Sequence, residues 1–416
     1  MAKGLATKSL CDCCTICLPL SEEQYRELVD HAGKFRQFLD HCYQQMPELF
    51  PEEFSQGYEM KDCRTPKKLQ VKLRRIELRS GAAYTIRPSF LMPYMTARTE
   101  DIEMPLFLRK FGVPYWALTH VFGRNPMFWY RLEVGLGRFS VAGTTVRRAK
   151  LPPHLLADEH HQTCGGKKQY IATTVGGGCC LGAAVAETAG TDDLQAAYSV
   201  FKAEAGNIDP NYAPQTVNTD GWRGTQAAWR GLFPFVVVLQ CFLHGWLKIR
   251  DRAKHLQEMF LEIGTRVWDA YRAPNRRSFS QHLRVLRSWA ESHLSGIVLE
   301  SVVDLCDKRD RWSVAYDHPQ GHRTSNMLDR IMRGMNRYFF DGQHLHGSRE
   351  TSERHSRAWA LLWNFAPWHP TVASDHNGWN SPAERLNKHR YHINWLQNLL
   401  ISASLGGYRQ GGPQKT

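Results

Sequence analysis

The sequence predicts an α/β fold: a mixed sheet with an all-helical insertion, preceded by a helical helix-turn-helix region. Three observations carry the prediction. From residue 151 to 254, short apolar runs alternate with amphipathic stretches in the order strand, strand, strand, helix, strand, helix, strand, helix. That alternation marks a layered α/β domain with a mixed sheet. From 255 to 320 it stops, and the chain reads as helix throughout, rich in Arg and Trp. From 81 to 150, three short helical patterns are divided by turns containing glycine. Of the remaining parts, 1–80 reads as a helical, cysteine-containing region, 321–370 as a helix returning to the sheet domain, and 371–416 as a helical tail.

Composition sets the class. The 416 residues allow two or three domains, and 42% hydrophobic with 22% charged residues is ordinary for a globular chain. The formal net charge of +13, with a pI near 9.3, points to a polyanionic partner, most often nucleic acid. No secretion signal is expected, because "MAKGLATKSLCDCC" has lysines but no apolar core after them. No membrane span is expected either. "GLFPFVVVLQCFLHGWL" is too short and carries Gln240 and His244, and "IATTVGGGCCLGAAVAETAG" is broken by glycines. Eleven cysteines, an odd number, then suggest reduced thiols in a cytoplasmic protein.

Taken in order, the first helix starts in "SEEQYRELVDHAGKFRQFLDHCYQQM", with Ser21 as its cap. Ahead of it, Cys11, Cys13, Cys14 and Cys17 form a tight cluster of the thiolates zinc takes, but no Cys or His pair follows at finger-like spacing. Free thiols in a mobile end are therefore expected there. Within 101–138, Gly112 and the triplet Gly123-Arg124-Asn125 separate three helices, with Asn125 as cap and Pro126 at the first helical position of the last. Two short helices joined by a tight turn form a helix-turn-helix, whose second helix reads the major groove. Arg124, Asn125 and Arg131 are its candidate DNA contacts.

The sheet domain supplies the chemistry. Asp158 in "HLLADEHH" and Asp220 in "QTVNTDGW" are expected at the ends of short apolar strands, where sites form in open sheets. Two carboxylates brought together there repel unless a proton or a cation intervenes, and magnesium prefers such hard oxygen ligands. "RTSNMLDRIM" opens an amphipathic helix in which Asn326 reads as the cap and Asp329, three residues on, as its capping-box acid. Asp329 is equally a candidate third acid. Glu300 and Asp304 read as an exposed helix face. Trp222 is expected to pack in the core rather than stack on a base.

The run from about 151 to 340 resembles DDE-type transposases, most nearly the bacterial insertion-sequence enzymes related to the Mutator group. In that group the first acid lies on the first strand, matched at Asp158, and the second after the fourth strand, matched at Asp220. A Cys-x-x-His pair follows, here Cys241 and His244, then a helical insertion and a T-T-N-x-x-E motif. Here that motif reads Thr324-Ser325-Asn326-Met327-Leu328-Asp329. The spacings, 158 to 220 and 220 to 329, suit the group; Asp329 departs from it, standing where Glu is usual. The resemblance implies a ribonuclease H-like catalytic domain holding two Mg2+ or Mn2+ ions on Asp158, Asp220 and Asp329. It further implies cleavage of the element's terminal inverted repeats, joining of the 3′-hydroxyl to target DNA, and at least a dimer on DNA in a prokaryotic cytoplasm, associated with the nucleoid. Arg276 and Arg277 in the insertion would grip phosphates, and Cys241, His244, Glu159 and Asn326 would support the site. Two other readings stay open: a non-catalytic helix-turn-helix regulator, and a metal-dependent structure-specific nuclease.

Overall fold

Two sheets organise the chain in the computed structural model, which describes residues 14–67, 71–93, 95–147, 151–341 and 347–408. The first is built from β1 (Thr15–Leu18), β2 (Tyr58–Arg64), β3 (Leu73–Leu78) and β4 (Ala83–Pro88), in the order β1-β4-β3-β2. Between β1 and β2 lie α1 (Glu22–Val29) and α2 (Ala32–Gln45). The expected Ser21 cap is present as a full capping box, Ser21 Oγ accepting from the Gln24 N–H at 3.2 Å and Gln24 Oε1 from the Ser21 N–H at 3.3 Å. The expectation of an all-helical first eighty residues is corrected here. "LRRIEL" ends in alternation, with Ile76 and Leu78 buried and Glu77 between them less so, which is a strand period rather than a helical one.

Three helices follow as predicted: α3 (Thr99–Arg109), α4 (Tyr115–Phe122) and α5 (Pro126–Leu136). Asn125 Oδ1 accepts from the Phe128 N–H at 2.7 Å and starts α5. A short α6 (Val141–Thr145) leads into the second sheet.

That sheet reproduces the expected order of elements: β5 (His154–Cys164), β6 (Lys167–Gly176), β7 (Cys179–Ala186), α7 (Thr191–Ile208), β8 (Thr216–Thr219), α8 (Arg223–Leu232), β9 (Val237–Gln240) and α9 (Phe242–Ala253). The strands lie in the order β7-β6-β5-β8-β9. β5, β6 and β7 form an antiparallel meander, while β8 and β9 run parallel to β5. The turn between β6 and β7 uses Gly177 and Gly178, both at positive φ (60° and 86°), as a tight two-residue hairpin requires. The sheet is therefore mixed and the class α/β.

Four helices make the insertion: α10 (Glu258–Tyr271), α11 (Arg276–His293), α12 (Gly296–Asp307) and α13 (Arg309–Ser313). They enclose their own core around Phe242, Trp246, Phe279 and Trp312. The chain then returns through α14 (Asn326–Asp341) and α15 (Arg349–Phe365). Alternation along β5 splits its neighbours. Leu155 and Ala157 pack with Tyr198 of α7 and Trp229 of α8, whereas Leu156 packs with Leu328, Ile331 and Met335 of α14 and Trp359 of α15.

The remaining helices are α16 (Pro370–Asp375), α17 (Pro382–Asn387) and α18 (Trp395–Ser402). Ser381 caps α17 with Pro382 first, as predicted, but the single long helix expected from 381 onward breaks where Lys388 turns left-handed (φ 49°). The expected tail is corrected too, because all eight residues of α18 are buried. "WLQNLLIS" is apolar on every side, so it occupies a core. Leu396, Leu399 and Ile401 share that core with Ile16 and Leu18 of β1. Ser404 Oγ donates to the Leu49 carbonyl at 2.6 Å and accepts from the Cys17 N–H at 3.1 Å. The two ends of the described chain are thus one packing unit.

Leu399→Ala is expected to lower stability by about 2–5 kcal/mol, as for a fully buried leucine. A urea unfolding midpoint unchanged within error would restore the view of this segment as an appended tail.

Candidate functional site

The site follows from strand register. β5 pairs with β8 at His154↔Thr216, Leu155↔Val217 and Leu156↔Asn218. Two residues further along the same offset, Asp158 stands beside Asp220. β8 pairs with β9 up to Thr219↔Gln240, and the Cys241 N–H donates to the Thr219 carbonyl at 2.8 Å, so the next residues in line are Asp220 and Cys241. Continuing both offsets past the last paired residues sets Asp158 level with Asp220 and Cys241, the residues that directly follow β8 and β9, on neighbouring chain segments about 4.8 Å apart. Residues level in a parallel pair point to the same face. Here that is the face of Leu156, covered by α14.

The expectation of a strand ending at Asp158 is corrected: β5 continues six residues beyond it, to Cys164, as the long arm of a hairpin with β6. Asp220 does stand at a strand end, the first residue after β8. Its Oδ1 accepts from the Trp222 N–H at 2.8 Å, and Asp158 Oδ1 accepts from the Glu159 N–H at 2.8 Å. Burial, the nearby Asp220 and Glu159 together push the Asp158 carboxyl up to about 7, against the opposing pull of the Glu159 N–H and of His244.

Glu159 points to the opposite face. Its carboxylate accepts from Tyr198 Oη at 2.7 Å and from Thr225 Oγ1 at 2.9 Å, which ties β5 to α7 and α8. Burial raises its pKa, and the two hydroxyls work against that rise. Its role is to fix the strand against its helices. His160 returns to the α14 face, where its Nε2–H donates to Asn336 Oδ1 at 2.7 Å.

The second half of the site comes from β9 and α14. Cys241 is buried at the start of α9, and its Sγ accepts from the Ser325 N–H at 3.2 Å. Burial works to raise the Cys241 thiol, but hydrogen bonding from His244 and Ser325 outweighs it and the net shift is downward. His244, one turn into α9, is raised to about 9, first by its bond to Cys241, with Asp220 and Asp158 adding to the rise against burial. The expected cap at Asn326 is corrected: α14 already includes Asn326, which is exposed, and the position before it belongs to Ser325. The Asp329 N–H donates to the Ser325 carbonyl at 2.8 Å. Ser325 Oγ lies 3.1 Å from both Asp329 oxygens and donates to that carboxylate. Asp329 is half-buried and is not an N3 acid.

The structure thus sets Asp158 and Asp220 side by side and joins Asp329 to their row through Ser325 and Cys241. The hard oxygen donors and the mutual repulsion of the pair suit a divalent cation. Among the described residues, no group of three or more His, Cys, Asp or Glu side chains is arranged to hold a metal ion. Asp304 is occupied by Lys248 and Lys308, and Glu300 is exposed on α12. Trp222, expected in the core, is instead 52% exposed beside Asp220, with its Nε1–H on the Ala189 carbonyl.

The candidate DNA contacts lie elsewhere. Arg124 and Asn125 are exposed at the α4–α5 turn, with Asn125 Oδ1 committed to its cap, and Arg131 is exposed in the middle of α5. Arg277 is exposed at the start of α11, while Arg276 is paired with Asp317 at 2.9 Å. Of the suggested zinc cluster, Cys11 and Cys13 lie outside the described residues. Cys17 is fully buried within β1, not in a mobile end. Among the described residues no helix is long and apolar enough to cross a membrane. No family model matches the chain, and no curated protein matches it.

Ser325 was marked only as part of the Thr324–Asp329 motif, its seat on Cys241 lying 84 residues away, and Asn336 carried no sequence signal, its partner His160 lying 176 residues away.

A pH effect follows from Asp158. The folded protein keeps this proton up to about pH 7, while the unfolded chain releases it near 3.8. Between those values the folded state binds more protons, so stability falls as pH rises through the window. The loss is at most roughly 4 kcal/mol, at about 1.4 kcal/mol per pH unit. Urea midpoints from about pH 4 to about pH 8 should therefore decline in the wild type and decline less in Asp158→Asn. Parallel curves for the two proteins would contradict the assignment.

Proposed function

We propose that the chain is a transposase: an enzyme that binds the ends of a mobile DNA element, cleaves them, and joins the freed 3′-hydroxyl to target DNA. The observation that carries the reading is the in-register pair Asp158–Asp220 on the face covered by α14. Two half-buried carboxylates set together oppose folding unless a proton or a cation joins them, and a protein that only bound DNA through α4 and α5 would have no use for such a pair. The order of elements supports the same reading. The first acid lies on β5, the first strand of its sheet, and the second directly after β8, the fourth. The insertion of α10 to α13 follows, and the third acid lies on α14. That order supports the resemblance to ribonuclease H-like transposases, which implies the same sequence of acids and insertion.

Asp158 and Asp220 would hold Mg2+ or Mn2+, with Asp329 the third carboxylate on the facing helix. Bound there, the ions would supply Lewis acidity for in-line displacement at a DNA phosphate. The chain's own groups do the rest. Exposed Arg124, its guanidinium over the Phe128 ring at the α4–α5 turn, and exposed Arg131 on α5 are suited to base edges or phosphates. Arg277 adds a contact to the backbone. Arg276 can join it at little cost, because its bond to Asp317 is an exposed ion pair of small net value. The charge of +13 favours such binding and makes it salt-dependent. Synapsis of two ends would need at least two copies.

The substrate to use is duplex DNA carrying the inverted repeats that bracket the gene. With Mg2+, wild-type protein should nick it and join the product to a second duplex, and Asp220→Asn should do neither. Undiminished cleavage by Asp220→Asn would sink the proposal, and cleavage without joining would make the protein a nuclease on the same site. Arg124→Ala and Arg131→Ala should each weaken binding to the same DNA. Where the lost group touches a phosphate, the slope of log affinity against log salt should fall by about 1.

A further inference from the structure

Asp329 differs from the other two acids in how it is held. Asp158 and Asp220 accept from backbone N–H groups one and two residues further along their own chain. Asp329 accepts from a side chain, the Ser325 hydroxyl, at 3.1 Å to each oxygen. Ser325 is 3% exposed and is itself seated on Cys241, the residue between β9 and α9. Its N–H donates to Cys241 Sγ at 3.2 Å, and its Oγ lies 3.3 Å from the same sulfur. The hydroxyl has a single proton, directed at Asp329, so its oxygen is left to accept from the thiol. A two-link chain therefore runs from the row containing Asp158 and Asp220, through Cys241 and Ser325, to the acid on α14. The same helix is pinned a second time where Asn336 meets His160.

We propose that Ser325, seated on Cys241, is a positioning residue that fixes the Asp329 carboxylate relative to the Asp158–Asp220 pair. The inference rests on the transposase reading and deepens it. It also gives a reason for Asp where the resembling group has Glu. Residues four apart on a helix are neighbours, and the short Asp side chain places its oxygens within reach of Ser325. A Glu at 329 would carry its carboxylate one methylene past that hydroxyl. The hydrogen bond removes the rotations the carboxylate would otherwise lose on meeting a cation, which is preorganisation by a supporting residue.

The test is Mn2+ binding to the full-length protein, followed by electron paramagnetic resonance, with thermal melts to check folding. Wild type should bind Mn2+, and Ser325→Ala should bind it about 10- to 100-fold more weakly, the usual effect of losing a supporting group. Ser325→Thr keeps the hydroxyl and should recover most of the affinity. Equal affinity of Ser325→Ala and wild type would overturn the positioning role and leave the transposase reading standing. Equal losses in Ser325→Ala and Ser325→Thr would also overturn it, by showing that packing rather than the hydroxyl matters. If wild type bound no Mn2+, the metal site and this inference would fall together. Should Ser325→Ala not fold, Cys241→Ala loosens the same seat from the other side and must weaken Mn2+ binding for the proposal to stand.

Discussion

The site depends on the register of β5, β8 and β9. A parallel ladder fixes which residues stand level, and a slip of one position turns every side chain to the other face. Extended past the last paired residues, the observed offsets set Asp158, Asp220 and Cys241 level and on one face. A slip of β8 by one residue against β5 would set Thr219 or Gly221 beside Asp158. The apolar pattern guards against that slip. Leu155 and Ala157 must reach the core under α7 and α8, while Leu156 must reach the one under α14 and α15. Fixing two cores of opposite facing therefore also fixes the carboxylate pair.

The helices above that row are held by buried charge as well as by apolar contact. Arg109 of α3 and Glu133 of α5 form an ion pair at 2.6 Å with side chains 3% and 0% exposed. Tyr338 of α14 donates to the same Glu133, and His355 of α15 stands beside both. Burial works to raise the Glu133 carboxyl, but the Arg109 charge outweighs it and holds the group below its ordinary value. A second buried pair, Arg357 with Glu204, ties α15 to α7. Such pairs add little net stability, yet removal of one partner leaves a buried charge exposed to no water. Their effect is specificity of arrangement. The helices that would meet DNA and the helix that carries Asp329 share one polar junction.

Much of this was legible in sequence, and where it was not the reason is physical. The order of elements from 151 to 254 was readable because apolar runs and amphipathic stretches have different periods. Ser21, Asn125 and Ser381 were readable as caps because capping is local, resolved within three residues. The strands between 58 and 88 were missed because their charged positions resemble a polar helix until the alternation of Ile76 and Leu78 is counted. The burial of α18 was missed because its partners in β1 lie almost 400 residues away in the chain. The carboxylate pair was half legible. The residues were picked out by type and spacing, but their being level required the ladder.

Glu159 shows why side-chain facing, and not proximity in sequence, decides a role here. It is adjacent to Asp158 and of the same charge, so composition alone would place it in the site. The strand turns it by half a revolution, onto Tyr198 and Thr225. There it serves the opposite purpose. Two hydroxyl donors satisfy a buried carboxylate that no cation needs to reach, so the group anchors β5 to α7 and α8. Asp158 on the other face accepts only a backbone N–H among the hydrogen bonds of the described residues, and burial together with Asp220 and Glu159 favours its protonated form. Within one dipeptide, one acid is saturated and the other is held in deficit. That contrast is what separates a structural carboxylate from one poised to take a proton or a metal ion.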